Sequence, residues 1–169
     1  DAMMTSPQAL KNRWQQCLSQ LPLVAILRGV QPDEAVAIGQ ALVQSGWCLI
    51  EVPLNSPDPL RSISLLREQV PQALIGAGTV LSPQEVRDVK AAGGEWIVSP
   101  HFDPAVVRES VAQGLISVPG VSTPSEALAA LGVGADGLKL FPAEMITPVV
   151  LKSWRSVLPA SRVLLPVGG

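Results

Sequence analysis

The chain has 169 residues, with 12 Lys+Arg against 14 Asp+Glu and a net charge of −2. That length suits one domain with a real core, and the near balance of charge leaves no basic footprint for nucleic acid. Hydrophobic residues make up 47% of the chain and mean hydropathy is +0.34, yet no unbroken apolar run approaches the roughly 20 residues that span a bilayer.

Such a composition fits a fold with many doubly buried strands, which read as continuous apolar segments. Cys17 and Cys48 lie in unlike contexts, so neither a disulfide framework nor a zinc site is expected, and a cytoplasmic protein is. No secretory leader is expected, and Asp1-Ala2 ahead of Met3-Met4 reads as a cloning remnant.

In chain order, Leu10, Trp14, Cys17 and Leu18 form a helical stripe able to close the floor of a core. From residue 23 onward, strand-like runs alternate with amphipathic stretches. The runs are residues 23–28, 47–53, 73–78, 96–99, 116–119, 137–140 and 162–167. Gln31-Pro32-Asp33-Glu34 and Ser82-Pro83-Gln84-Glu85 place a proline and then acids in a first helical turn. Thr123-Pro124-Ser125-Glu126 supplies a cap, a proline and a glutamate three residues after the cap. Glycines 46, 93, 114 and 132 fall where helices should stop.

A β-then-α unit of about 20–25 residues requires parallel strands joined by right-handed crossovers. Polar residues recur where the strands end: Arg28, Glu51, Thr79, Ser99 and Lys139. An open sheet gathers its site at one switch point, whereas a barrel uses the whole rim. The expected fold is therefore an α/β chain forming a (β/α)8 TIM barrel with an N-terminal helix. Seven strands are read here, so the eighth β/α unit, roughly 30–40 residues, is expected to be lacking from a single domain over residues 1–169.

Lys139 is the residue with the most chemistry in it. It lies in Asp136-Gly137-Leu138-Lys139-Leu140-Phe141-Pro142, an apolar strand ending at a proline. Lysine is rarely buried without a partner, because its ammonium loses hydration. Desolvation also lowers its pKa and frees the nitrogen to attack a carbonyl. Moving that pKa from about 10.4 to roughly 7–8 costs on the order of 4 kcal/mol. Glu51 lies on the second strand and Lys139 on the sixth, opposite each other in an eight-stranded barrel and able to share one interior layer. Leu49, Glu51 and Pro53 share a face, as do Gly137 and Lys139. Such an amine and carboxyl suit imine formation and carbon–carbon cleavage. A structural ion pair is the plainer reading, but buried pairs are weak stabilisers.

Together these residues resemble a family. Ala25-Ile26-Leu27-Arg28-Gly29, Ile50-Glu51-Val52-Pro53-Leu54-Asn55-Ser56-Pro57, Ile75-Gly76-Ala77-Gly78-Thr79-Val80-Leu81, Val118-Pro119-Gly120 and Leu138-Lys139-Leu140-Phe141-Pro142 are similar, in order, to the 2-keto-3-deoxy-6-phosphogluconate/6-phosphogalactonate aldolases. These are class I, Schiff-base (β/α)8 enzymes. The resemblance implies that Lys139 forms the Schiff base and Glu51 is the general acid/base. It implies substrate contacts at Arg28, Thr79, Pro119 and Phe141, and a phosphate loop beginning at Gly168-Gly169. It further implies no cofactor and no metal, a small sugar-acid phosphate substrate with pyruvate as a product, and a homotrimer. Asn55 stands where gluconate-type enzymes usually carry arginine, so the galactonate-type branch is the closer likeness. Aldolases of phosphogluconate type or of 4-hydroxy-2-oxoglutarate are the alternatives within the family; outside it the alternatives are a non-catalytic sugar-phosphate-binding barrel and another phosphate-using barrel enzyme, such as an isomerase or synthase.

Other features carry less. Gly76-Ala77-Gly78 opens like a dinucleotide fingerprint, but Leu81 stands where the third glycine belongs. Thr79 also reads as a cap, Arg28 as the partner of a rim acid, and Phe141 as a core aromatic. His101, the sole histidine, reads as a polar loop residue, since one imidazole makes neither a triad nor a metal site.

Overall fold

The structure, a computed structural model, describes residues 6–169; the reading of Asp1-Ala2 lies outside them. Seven α-helices and eight strands are formed among the described residues. Helix α1 (Pro7–Gln20) precedes β1 (Val24–Ile26), α2 (Pro32–Gln44), β2 (Leu49–Pro53), α3 (Pro59–Gln69), β3 (Leu74–Gly78), α4 (Pro83–Ala91) and β4 (Trp96–Val98). Then come α5 (Pro104–Ala112), β5 (Ile116–Val118), β6 (Gly120–Val121), α6 (Pro124–Gly132), β7 (Gly137–Leu140), a 3-10 turn (Ala143–Met145), α7 (Pro148–Arg155) and β8 (Val163–Pro166).

Every α-helix opens with proline in its first turn. Proline has no N–H to lose there, and its fixed φ suits helix entry. Side-chain caps close several starts: Ser82 Oγ accepts from the Glu85 amide, and Thr123 Oγ1 from the Glu126 amide. At the end of α6 the left-handed residue is Gly134 (φ 107°), two positions beyond the expected Gly132, which is the last helical residue.

All strand pairs are parallel, in the order β1-β2-β3-β4-β5 and β6-β7-β8. The single fifth strand expected at residues 116–119 is two short ones. Proline cannot donate to a ladder, so Pro119 interrupts it. The carbonyls on both sides nevertheless bridge the sheets, Ser117 accepting from Asp136 N–H (2.8 Å) and Pro119 from Lys139 N–H (2.9 Å). Seven strand positions thus form one parallel arc with helices outside. Strands β1 and β8 each pair on one side only among the described residues.

Alternation along the strands sorts the core into layers. Leu49, Leu74, Trp96, Val98, Ile116 and Val118 face inward and meet Leu10, Trp14 and Cys17 of α1, so the N-terminal stripe does plug the floor. Trp14 and Trp96 stack with centroids 5.4 Å apart. Ile50, Val52, Ile75 and Ala77 face outward against α2–α4, and Leu138 and Leu140 against α6 and α7. Glu95 at the floor bonds Arg13 (2.7 Å) and accepts the Ile75 amide, tying α1 to the sheet.

One sequence expectation is overturned. Cys17 and Cys48 are joined by a disulfide, with Cα atoms 5.4 Å apart. Cys17 belongs to the inner stripe of α1, and Cys48 leads into β2 just above that floor. Their 31-residue separation hides a proximity that only the packing of α1 under the arc creates. No helix of the described residues is long and apolar enough to cross a membrane.

Candidate active site

Two adjoining cavities open inside the arc, one between β1 and β8 and one at the C-terminal ends of the strands, and Lys139 lines both. The deeper one, about 360 Å³, is bounded by Glu51, Lys139, Trp96, Val118 and the facing edges of β1 and β8. The outer one, about 450 Å³, includes Arg28, Thr79, Lys139, Phe141, Gly168 and Gly169.

Lys139 is inward on β7 because its neighbours Leu138 and Leu140 take the outward positions. It is only 6% exposed, and burial holds its amine below the ordinary lysine value. The Glu51 charge opposes that shift and the Arg28 charge adds to it. Its Nζ lies 4.6 Å from the centre of the Phe141 ring, a face that attracts the cation. Glu51 is inward on β2 and 3% exposed. Burial pushes its carboxyl up to about 7, against the pull of Lys139 and Arg28. Its Oε2 is buried with no hydrogen-bond partner, a cost that a structural role alone does not explain. Amine and carboxyl face one lumen and feel each other electrostatically without a direct ion pair.

Six of the eight residues singled out by sequence line the outer cavity, and Glu51 shares the deeper one with Lys139. Pro119 lines neither; its carbonyl fixes the backbone of Lys139 instead. Arg28 is exposed at the rim and donates to Asn55 Oδ1 at 3.2 Å. Gly169 N–H donates to Glu144 at 3.1 Å, so an acidic side chain shares the glycine turn. His101 is exposed, as read.

Thr79 sits at φ 57°, in the left-handed region where a β-branched residue is strained. It lines the outer cavity and is not the helix cap that it also read as, since Ser82 caps α4. Thr79→Gly is expected to raise stability by up to about 1 kcal/mol by relieving that strain. Thermal denaturation checks the sign; a clear loss would place the strain elsewhere.

A buried amine and a buried carboxyl thus face one lumen of a parallel β/α arc, the layout in which barrel enzymes carry their sites. The chain belongs to the KDPG and KHG aldolase family, whose sequence model matches residues 15–169. It is similar to "Probable 2-dehydro-3-deoxy-6-phosphogalactonate aldolase" of Rhizobium meliloti (strain 1021), at 48% identity over 88% of this chain and 70% of that one. Among solved structures it resembles one described as "Native KDPGal structure", with TM-score 0.85 and 42% identity over 89% of this chain and 73% of that one. It also resembles the KDPG aldolase of Legionella pneumophila, captured with pyruvate as a covalent carbinolamine. There the TM-score is 0.83, with 30% identity over 98% of this chain and 77% of that one. The fold is accordingly a (β/α)8-type barrel fold, and the chain is an aldolase.

Proposed function

We propose that this chain cleaves 2-dehydro-3-deoxy-6-phosphogalactonate to pyruvate and D-glyceraldehyde 3-phosphate, with Lys139 and Glu51 performing the chemistry. The observation that carries the reading is the desolvated Lys139 amine sharing a cavity with a Glu51 carboxyl whose pKa is about 7. Nζ of Lys139 attacks the C2 ketone. The carbinolamine then takes a proton at its hydroxyl and loses water, leaving an iminium that draws electrons from the C3–C4 bond. As that bond breaks, the C4 hydroxyl gives its proton to the carboxylate of Glu51, releasing the aldehyde and leaving an enamine. Protonation of the enamine and hydrolysis return pyruvate and the free amine. One carboxyl titrating near 7 can give a proton in one half of the cycle and accept one in the other.

Arg28 presents a planar fork suited to a carboxylate or phosphate, and Thr79 and Phe141 flank the same cavity. Pro119 supports the site through the Lys139 amide. Gly168 and Gly169 offer backbone close enough for the phosphate, which would displace the Glu144 carboxylate from the Gly169 N–H. The galactonate branch is supported by the 48% relative and by Asn55, which here holds Arg28. We take the domain as one barrel over residues 1–169 and the assembly as a homotrimer, as the resemblance implies; no cofactor enters these steps. We take the location as cytoplasmic, since the proposed substrate is a phosphorylated metabolite.

The test is turnover of both epimers by the purified protein. The galactonate epimer is expected to have the higher kcat/KM. A preference for the gluconate epimer or for 4-hydroxy-2-oxoglutarate would move the chain to another branch. Binding by the parent protein without cleavage of any of these substrates, undiminished in Lys139→Ala, would make it a non-catalytic barrel.

A further inference from the structure

β3 places glycine at both of its last inward positions, Gly76 and Gly78, and each missing side chain makes room for a neighbour. A Cβ on Gly76 would stand 2.5 Å from Cδ1 and Nε1 of Trp96, so that position admits the indole which floors the deeper cavity. A Cβ on Gly78 would overlap Oε2 of Glu51 and lie 2.6 Å from its Cδ and 3.0 Å from its Oε1. The whole carboxyl group therefore rests against the bare Cα of Gly78.

Backbone conformation does not require this glycine. Five glycines of the chain adopt positive φ, and Gly78 is not one of them. Nor does hydrogen bonding fix the carboxyl, since Glu51 Oε2 is buried without a partner. Strand register puts Glu51 opposite Gly76, and Pro53 opposite Gly78. The Glu51 side chain thus leans one inward position along the strand, away from Trp96 and toward the mouth. The charged groups it meets there are Lys139 from β7 and Arg28 from the end of β1.

We propose that Gly78 is a positioning residue for the acid/base chemistry: the space left by its absent side chain is the recess that aims the Glu51 carboxyl at Lys139. The kinetic part rests on the function proposed above, whereas the recess itself does not. A second residue of the carboxyl's setting is thereby placed on a different strand from the carboxyl.

The experiment compares Gly78→Ala, Glu51→Ala, Glu51→Gln and the two double variants. In thermal denaturation, Gly78→Ala should lower Tm, and adding Glu51→Ala should restore it by removing the atoms the new methyl meets. If Gly78→Ala alone does not fold, recovery of folded protein in the Glu51→Ala background is the same positive result. In retro-aldol assays, Gly78→Ala should lower kcat about 10²-fold, as expected for a misplaced reacting group, and move the kcat ionisation away from neutrality. Adding it to Glu51→Gln should cost little further activity, because both changes act through one carboxyl. A Tm loss that persists without the Glu51 side chain, an unchanged kcat and pH profile in Gly78→Ala, or losses that multiply in the double variant would overturn the proposal. Absence of turnover in the parent protein would count against the aldolase reading alone, and the Tm comparison would still decide the role of Gly78.

Discussion

Lys139→Met is expected to lower retro-aldol turnover by at least about 10⁴-fold while leaving the protein folded and slightly more stable. The large effect follows from losing the covalent step altogether, which no neighbouring group replaces. Arg28 lies in the same outer cavity, but a guanidinium does not deprotonate and cannot act as the nucleophile. The gain in stability has a defined pH range. Burial holds the Lys139 amine below its ordinary 10.5, so the unfolded chain binds the proton more tightly than the native one. The cost of the buried ammonium is complete below the folded pKa and disappears as the pH rises to about 10.5. The Tm advantage of Lys139→Met should therefore fade toward alkaline pH, and a variant that merely unfolds would refute this account of the lost turnover.

Glu51→Gln is the second large expectation, with an activity loss of about 10²–10⁴-fold and a stability change of opposite sign. The folded carboxyl titrates near 7, against 4.5 in an ordinary setting. Between those values the native protein keeps a proton that the unfolded chain has released, so wild-type stability falls as the pH rises through this window. The difference corresponds to about 3 kcal/mol once the pH exceeds 7. Glutamine carries no such penalty. The variant should match the parent near pH 4 and melt several degrees higher near pH 8, at about 2–4 °C per kcal/mol. The kcat profile of the parent should show an ionisation near neutrality that the variant lacks. An unchanged profile in Glu51→Gln would assign the acid/base step to another group.

Much of this site was legible in the sequence for a physical reason. A charge inside an apolar strand is costly, and the period of two fixes which wall it faces, so Lys139 and Glu51 could be placed before any coordinates. Helix entries were legible through Pro32, Pro83 and Pro124, whose fixed φ marks a first turn. What stayed hidden depends on contacts between strands. The Cys17–Cys48 bond arises only when α1 closes the floor, and the break at Pro119 only when the chain bonds neighbours on both sides. The recess at Gly78 also stayed hidden, because a glycine's letter does not say whether backbone or space demands it. The Glu144 carboxylate at Gly169 N–H was likewise invisible, since residues 144 and 169 meet only through the pairing of β7 with β8.

The central claim is a covalent bond between the Lys139 amine and a keto acid. Incubating the intact protein with pyruvate and sodium borohydride, then mapping peptides by mass spectrometry, tests it most directly. The mass of one reduced pyruvate should appear on the peptide bearing Lys139 and nowhere else, and should vanish in Lys139→Met. An unmodified Lys139 peptide in folded protein exposed to saturating pyruvate, or the adduct on another lysine, would contradict the imine mechanism.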